Sequence, residues 1–186
     1  MNKIFSTIFI SIVLLSSGIV NTVAHPSSPL DTSSTVQATG TIEVGFSPHG
    51  GITDMIVNEL NTAKSSIEVQ AYSFTSAPIA QALKEASKRG IIVRIILDKS
   101  QETEKYSSLT FFTNAGLPVH IDTAFSIAHN KIMIIDKVDI ITGSFNFTKA
   151  AEQNNAENCL ILRGNKALVD LYEKNWLWRW EATSSQ

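Results

Sequence analysis

The segment 91–97 reads Ile-Ile-Val-Arg-Ile-Ile-Leu and is almost wholly apolar. A β-strand carries such a run when both faces of its sheet are covered. Segments with helical periodicity, 52–64 and 77–89, alternate with extended segments at 41–46 and 67–74, and this order favours parallel strands covered by helices. We therefore predict an α/β fold with a mixed, largely parallel β-sheet that is flanked by helices on both faces.

Further elements are predicted along the rest of the chain. A weaker helix is expected over 102–114 and a last helix over 166–180, with strands at 118–121, 131–135, 139–142 and 157–163. Cys159 is the only cysteine, so the chain cannot form an internal disulfide. Its apolar neighbours predict a buried thiol.

The first 24 residues have the layout of a secretory signal peptide. One lysine precedes an uncharged apolar run over 4–20, and small residues ending at Ala24 offer a cleavage point. The alternative is an uncleaved membrane anchor formed by residues 4–20, since about 17 residues can just span a bilayer. Both alternatives predict an exported protein, periplasmic or secreted. Residues 25–40 are rich in Ser, Thr and Pro and predict a flexible tether, which leaves 41–186 as a single domain.

The net charge limits how such a protein could bind nucleic acid. Without residues 1–24, the chain keeps 14 basic and 17 acidic residues. Bulk positive charge is therefore excluded as a means of coating DNA. Any positive potential must be local to a cleft.

The segment 129–146 combines residues suited to phosphoryl chemistry. In an extended strand His129 and Lys131 point to the same side, with Cα atoms about 6.6 Å apart. A turn over 136–139 returns the chain to Gly143, where a tight bend presents Ser144 and brings Asn146 beside Lys131. An imidazole can attack phosphorus, an ammonium can hold anionic oxygens, and an amide adds a neutral donor.

These residues fit the pattern HxKx4Dx6GSxN, and the chain resembles the phospholipase D superfamily, in particular its short, single-motif bacterial endonuclease branch. The resemblance extends to Phe46-Ser47-Pro48 and to Glu157 within the segment 154–158. It implies a phospholipase D/nuclease-like fold and a catalytic domain over 41–186.

The resemblance also implies a role for each motif residue. His129 attacks phosphorus and forms a phosphohistidine, while a second such histidine protonates the leaving oxygen and then activates water. Lys131 and Asn146 bind the phosphoryl oxygens. Glu157 accepts a hydrogen bond from the other ring nitrogen of His129, and Ser144 completes that network.

Asp136 is expected to support the site or a subunit contact rather than to transfer a proton; a plain turn residue is the alternative. The chemistry needs two histidines and the chain supplies one motif. We therefore expect a homodimer with an active site shared across a twofold axis.

Other residues offer weaker alternatives. A metal site would have to combine His49, His120, Asp98 and Asp136, which lack the close spacing of metal ligands, so we expect no cofactor and no divalent-cation requirement. His49 could also line the cleft near a helix N-terminus, although a plain loop histidine is favoured. The three tryptophans of the last helix could stack on bases, but a core or subunit contact is favoured.

Three functions remain open at this level. The first is a metal-independent nuclease for DNA, and also for RNA, with little sequence preference. The second is a phospholipase D acting on phospholipid headgroup diesters, and the third is a non-catalytic phosphate-binding module.

Overall fold

Seven strands form one mixed sheet in the computed structural model, which describes residues 28, 30 and 32–183. The strands are β1 (Thr41–Ser47), β2 (Ser66–Ala71), β3 (Ile92–Asp98), β4 (Val119–Asp122), β5 (Lys131–Ile135), β6 (Asp139–Gly143) and β7 (Glu157–Arg163). Their order across the sheet is β1-β7-β6-β5-β2-β3-β4. Five strands run in one direction and β5 and β7 run against them, so that only β2–β3 and β3–β4 are parallel neighbours.

Helices cover both faces of this sheet, which confirms the predicted α/β class. They are α1 (Ile52–Thr62), α2 (Ala77–Lys88), α3 (Leu109–Asn114), α4 (Lys149–Gln153) and α5 (Lys166–Thr183). The larger core cluster joins α1 and α2 to one face of the sheet. On the other face, α5 packs Val169 and Trp176 against Ile96, Ile134 and Ile140.

The helix predicted over 102–114 is shorter than expected. A 3₁₀ turn at Lys99–Glu102 comes first, and α3 begins only at Leu109. Between them, the backbone N–H of Ser108 donates to the carbonyl of Phe74 at 2.8 Å, which ties this stretch to the end of β2 and prevents a continuous helix. The short helix α4 was not predicted; the side chain of Thr148 caps its start.

The predicted leader, residues 1–24, lies outside the described residues, and so does the alternative anchor over 4–20. Within the described part of the chain, no helix is long and apolar enough to cross a membrane. Residues 32–40 of the predicted tether contain neither helix nor strand, and its flexibility stays a prediction. Cys159 is buried as predicted, and burial raises the pKa of its thiol to about 12.

A tight turn over residues 136–138 joins β5 to β6 and is held by the Asp136 carboxylate. Asp136 and Lys137 have φ of 53° and 56°, the left-handed backbone that two-residue hairpins use. The carboxylate accepts hydrogen bonds from the backbone N–H groups of Lys64, Ser65 and Ser66 and from the Ser65 hydroxyl. Burial alone would raise the pKa of Asp136, but these hydrogen bonds outweigh it and lower the pKa. Asp136 therefore joins the hairpin to the start of β2.

We expect Asp136→Ala to lower the free energy of unfolding by about 2 kcal/mol at neutral pH, since three backbone donors lose a charged acceptor. A carboxyl whose pKa is lowered by folding stabilises above its unfolded pKa, and this stabilisation is lost as pH falls through the folded pKa. The difference between wild type and Asp136→Asn should accordingly shrink in acid. Urea denaturation from pH 7 down to pH 3 measures both effects. Asp54→Asn, in the exposed first turn of α1, should change stability by no more than about 0.5 kcal/mol at pH 7; equal stability of wild type and Asp136→Ala would contradict this role.

Candidate active site

The candidate site lies at the edge of the sheet where β1 and β6 end and the oppositely directed β5 and β7 begin. Lys131 begins β5, Gly143 ends β6, Glu157 begins β7 and Ser47 ends β1. Beside them opens a cavity of about 420 Å³, whose walls include His129, Lys131 and Gly143 and, from α5, Leu168 and Tyr172. The antiparallel hairpin is what brings both ends of the motif to this one edge.

His129 and Lys131 are in direct contact. The Lys131 Nζ atom lies 3.1 Å from His129 Nδ1 and donates to the His129 carbonyl at 2.9 Å. The imidazole packs on the ring of Tyr72, with 4.6 Å between the centroids. His129 is exposed, whereas Lys131 is only 6% exposed. The prediction that these two side chains share one side of the strand is confirmed.

The Lys131 ammonium is held in an environment that disfavours charge. Its burial lowers the pKa of the side chain, and the negative charge of Glu157 partly opposes this effect. A partly desolvated ammonium is a strong partner for an anion, because fewer of its hydrogen bonds go to water. This corner of the sheet is therefore suited to binding a phosphate group.

Glu157 and Ser144 form the network predicted for them only in part. The Ser144 hydroxyl donates to Glu157 Oε2 at 2.6 Å, and Asn155 Nδ2 donates to Oε1 at 3.1 Å. The predicted hydrogen bond from His129 to Glu157 is not formed, because His129 Nδ1 faces Lys131 instead. When Nδ1 accepts from an ammonium, a neutral imidazole carries its proton on Nε2. A link to Glu157 requires rotation of the ring and the other tautomer.

The glycine of the motif is required by its surroundings. Gly143 has φ of 149°, and a Cβ there would lie 2.4 Å from the carbonyl oxygen of Asn158. The bend that follows presents Ser144, as predicted. Asn146 has a buried Oδ1 with no hydrogen-bond partner among the described residues, while its carbonyl accepts from the N–H of Thr148. An amide oxygen left unpaired in this way suits a group that binds a ligand.

The structure does not bring Asp136 to this site. Asp136 follows the last residue of β5 and Lys131 is the first, which separates them by about 17 Å along the strand. Asp136 therefore makes no direct contact with the site, and its expected support of the site or of a subunit contact stays a prediction. Its carboxylate instead accepts hydrogen bonds from the backbone N–H groups of residues 64–66.

The alternative metal ligands are scattered. Asp98 accepts from backbone N–H groups, and His120 stacks on Trp180 with 3.5 Å between the ring centroids. Across residues 32–183, no group of three or more His, Cys, Asp or Glu side chains is placed to hold a metal ion. His49 lies near the start of α1, but the Glu152 carboxylate already accepts from the N–H groups of Gly51 and Thr53 there.

Two supporting residues were missed from the sequence. Asp98, at the end of β3, accepts from the N–H of Ala128 at 2.7 Å and so positions the residue that precedes His129. Burial would raise the pKa of Asp98, but hydrogen bonds from Ser100 and Ala128 lower it. Tyr72, at the end of β2, supplies the ring beneath His129. A polar residue directly after a buried strand was the available signal, because ligands gather at such strand ends.

A known family and its members match this chain. The family model described as "Cardiolipin synthase, PLD-like domain" matches residues 56–180. A phospholipase D of Rickettsia conorii is 46% identical over 132 residues, which are 71% of this chain and 66% of that protein. A mitochondrial cardiolipin hydrolase of Canis lupus familiaris is 32% identical over 133 residues, 69% of this chain and 52% of the relative. The chain thus spans slightly less than two thirds of the first of these relatives and about half of the second.

A solved structure agrees with these matches. The phospholipase D family member Nuc from Salmonella typhimurium superposes with a TM-score of 0.73 at 38% identity. The match covers 76% of this chain and 94% of that one. This confirms both the family resemblance and the predicted fold.

The charge of Lys131 should depend on Glu157. An ammonium is present below its pKa and lost above it, so a lowered pKa brings this loss to lower pH than for a free lysine. Glu157→Gln removes the opposing negative charge and should lower the pKa of Lys131 further. An NMR titration of the Lys131 side chain measures the shift. Glu102→Gln, on the surface of the 3₁₀ turn, should leave the titration unchanged; an unaltered pKa in Glu157→Gln would disprove the coupling.

Proposed function

Because this chain belongs to the family of phospholipase D-like domains, we propose that it is a phosphodiester hydrolase whose main substrate is nucleic acid. The single observation that carries the proposal is the contact of 3.1 Å between the exposed His129 ring and the buried Lys131 ammonium. An imidazole that can react with phosphorus through Nε2 then lies beside a cation that can neutralise the phosphoryl oxygens. A non-catalytic phosphate-binding module would not need an imidazole at that position.

The reaction proceeds through a phosphohistidine. Nε2 of one His129 attacks phosphorus, the N–P bond forms, and the O–P bond to the leaving alcohol breaks. A second imidazole, protonated on both nitrogens as an imidazolium, donates its Nε2 proton to the leaving oxygen and becomes neutral. That same imidazole then takes a proton from water, whose oxygen attacks phosphorus and breaks the N–P bond. Lys131 and Asn146 hold the phosphoryl oxygens, and no metal is required.

The second imidazole comes from another copy of the chain in this proposal. The two roles need different protonation states, since the attacking ring must be neutral with a free Nε2 and the donating ring must be an imidazolium that carries a proton on Nε2. In the chain described here, Nδ1 of His129 is in contact with Lys131 rather than with a carboxylate. The attacking ring is the partner subunit's His129, turned so that its Nδ1–H is directed at a carboxylate, for which Glu157 is the candidate. A homodimer with one shared site satisfies both requirements.

Phospholipid is the second candidate substrate. It is favoured by the names of the relatives, phospholipase D and cardiolipin hydrolase. Nucleic acid is favoured by the single short motif and by an open cavity whose walls mix apolar side chains with Asn130, Asn175 and Thr142. The two candidates share the same chemistry and differ in what is bound around the phosphodiester.

His129→Ala should lower the turnover of a labelled single-stranded oligonucleotide by at least about a thousandfold, since it removes the nucleophile. The wild type should turn over the oligonucleotide faster than phosphatidylcholine or cardiolipin vesicles, with EDTA present throughout. Rapid quenching should trap an acid-labile, base-stable label on the wild-type protein only. His49→Asn is the matched control, because asparagine tolerates the φ of 62° at that loop position. Unchanged hydrolysis in His129→Ala would reject the mechanism, and turnover of lipid alone would reject nucleic acid as the substrate.

Mixing subunits tests the shared site. After wild type and His129→Ala are mixed in equal amounts and allowed to exchange, about half of the dimers are mixed and about one quarter are fully wild type. A site that needs both histidines should then retain about one quarter of the wild-type activity. Retention of about one half, or an active monomer in sedimentation, would contradict the shared site.

A further inference from the structure

A second, smaller pocket adjoins the active site on the side of α5. We call it the Gln70 pocket; it has a volume of about 220 Å³, and its walls include Gln70, Phe125, Asn130, Asn175, Trp178 and Arg179. Asn130 and Asn175 also line the cavity that contains His129 and Lys131. A ligand that binds at the catalytic pair can therefore extend into the Gln70 pocket.

The pocket wall contains buried polar atoms that lack partners. Gln70 is 3% exposed and Arg179 is 2% exposed. Gln70 Oε1 and Arg179 Nη1 make no hydrogen bond within the described part of the chain. The other donors of Arg179, Nε and Nη2, are held by the buried Asp122 carboxylate at 2.8 and 2.7 Å. Because an unpaired buried polar group is unfavourable, an acceptor and a donor left in one wall indicate a site for a polar ligand.

Aromatic rings complete the pocket and limit what it can bind. Phe125 and Trp178 pack edge to face, and the guanidinium carbon of Arg179 lies 4.5 and 4.7 Å from their ring centroids. The guanidinium therefore already occupies the position over these rings that a quaternary ammonium would use. A cationic lipid headgroup would meet a fixed positive charge there, and the pocket is too small for a pair of acyl chains.

We infer that the Gln70 pocket binds the base of a nucleotide next to the scissile phosphodiester. Carboxamides such as Gln70, Asn130 and Asn175 present a donor and an acceptor side by side, as the edge of a base requires. An aromatic wall suits a flat heterocycle, and stacking tolerates any base. The volume is several times the roughly 30 Å³ of one water molecule, which leaves room for a single base. This inference rests on the proposed function and assigns to it a substrate-recognition site outside the motif.

Matched chromogenic diesters test the inference. Thymidine 3′- and 5′-(p-nitrophenyl phosphate) are compared with the same esters of an abasic deoxyribose, so that only the base differs. For at least one of the two linkages, the wild type should show a kcat/KM at least about tenfold higher with the base present. In Asn175→Ala and in Gln70→Met, the ratio of kcat/KM with the base to kcat/KM without it should fall towards one, whatever the absolute rates. Asn58→Ala, on the exposed side of α1, should retain the wild-type ratio.

The outcomes separate this inference from the proposed function. Equal hydrolysis of base-containing and abasic esters by the wild type would overturn the base site and leave the nuclease proposal intact, as would an unchanged ratio in both pocket variants. Hydrolysis of phosphatidylcholine with no turnover of any of these esters would instead reject nucleic acid as the substrate. Gln70→Met replaces an unpaired amide with a side chain of similar shape, so its thermal stability should equal or exceed that of the wild type.

Discussion

The burial of one ammonium group is the constraint on which this end of the molecule depends. A lysine that is 6% exposed loses hydration, and its pKa falls, although the charge of Glu157 partly opposes the fall. The contacts of the ammonium come from separate parts of the chain: the His129 carbonyl and ring and the face of Tyr72. These groups meet only because β5 and β7 run against the other strands and start at the edge where β1, β2 and β6 end. The mixed direction of the sheet is thus a condition for the contact between His129 and Lys131.

Local rules predicted the parts of the site that depend on local geometry. The twofold period of a strand placed His129 and Lys131 on one side, and the turn after Ile135 and the bend at Gly143 lie where the residues indicated. The motif did not show at which end of β5 Asp136 lies, because it records spacing along the chain and not the position of a residue on the strand. The hydrogen bond predicted from His129 to Glu157 is not formed within one chain, because the orientation of an imidazole depends on which neighbour supplies the stronger hydrogen bond. Asp98 and Tyr72 offered only the signal of a polar residue at the end of a buried strand, and the Gln70 pocket could not be predicted, since its segments meet only after α5 has packed on the sheet.

The family relationship and the site describe different levels of function. The shared fold and motif account for cleavage of a phosphodiester, and the relatives' names show that such a domain occurs in proteins named for lipid substrates. We propose that what surrounds the phosphodiester is bound by residues outside the motif. The helix α5, which closes the second face of the sheet, contributes Asn175, Trp178 and Arg179 to the Gln70 pocket.

The alternation of side chains at the start of β5 has an evolutionary consequence. His129 and Lys131 point towards one face, while Asn130 between them contributes to the pocket under α5. Substitutions at the intervening position and along the helix can alter which molecule is accepted without moving the reactive ring. Relatives with this arrangement can therefore change their substrate while the reaction stays the same. A single residue inserted directly before Lys131 would instead exchange the two faces of the strand and abolish both the reaction and the substrate recognition.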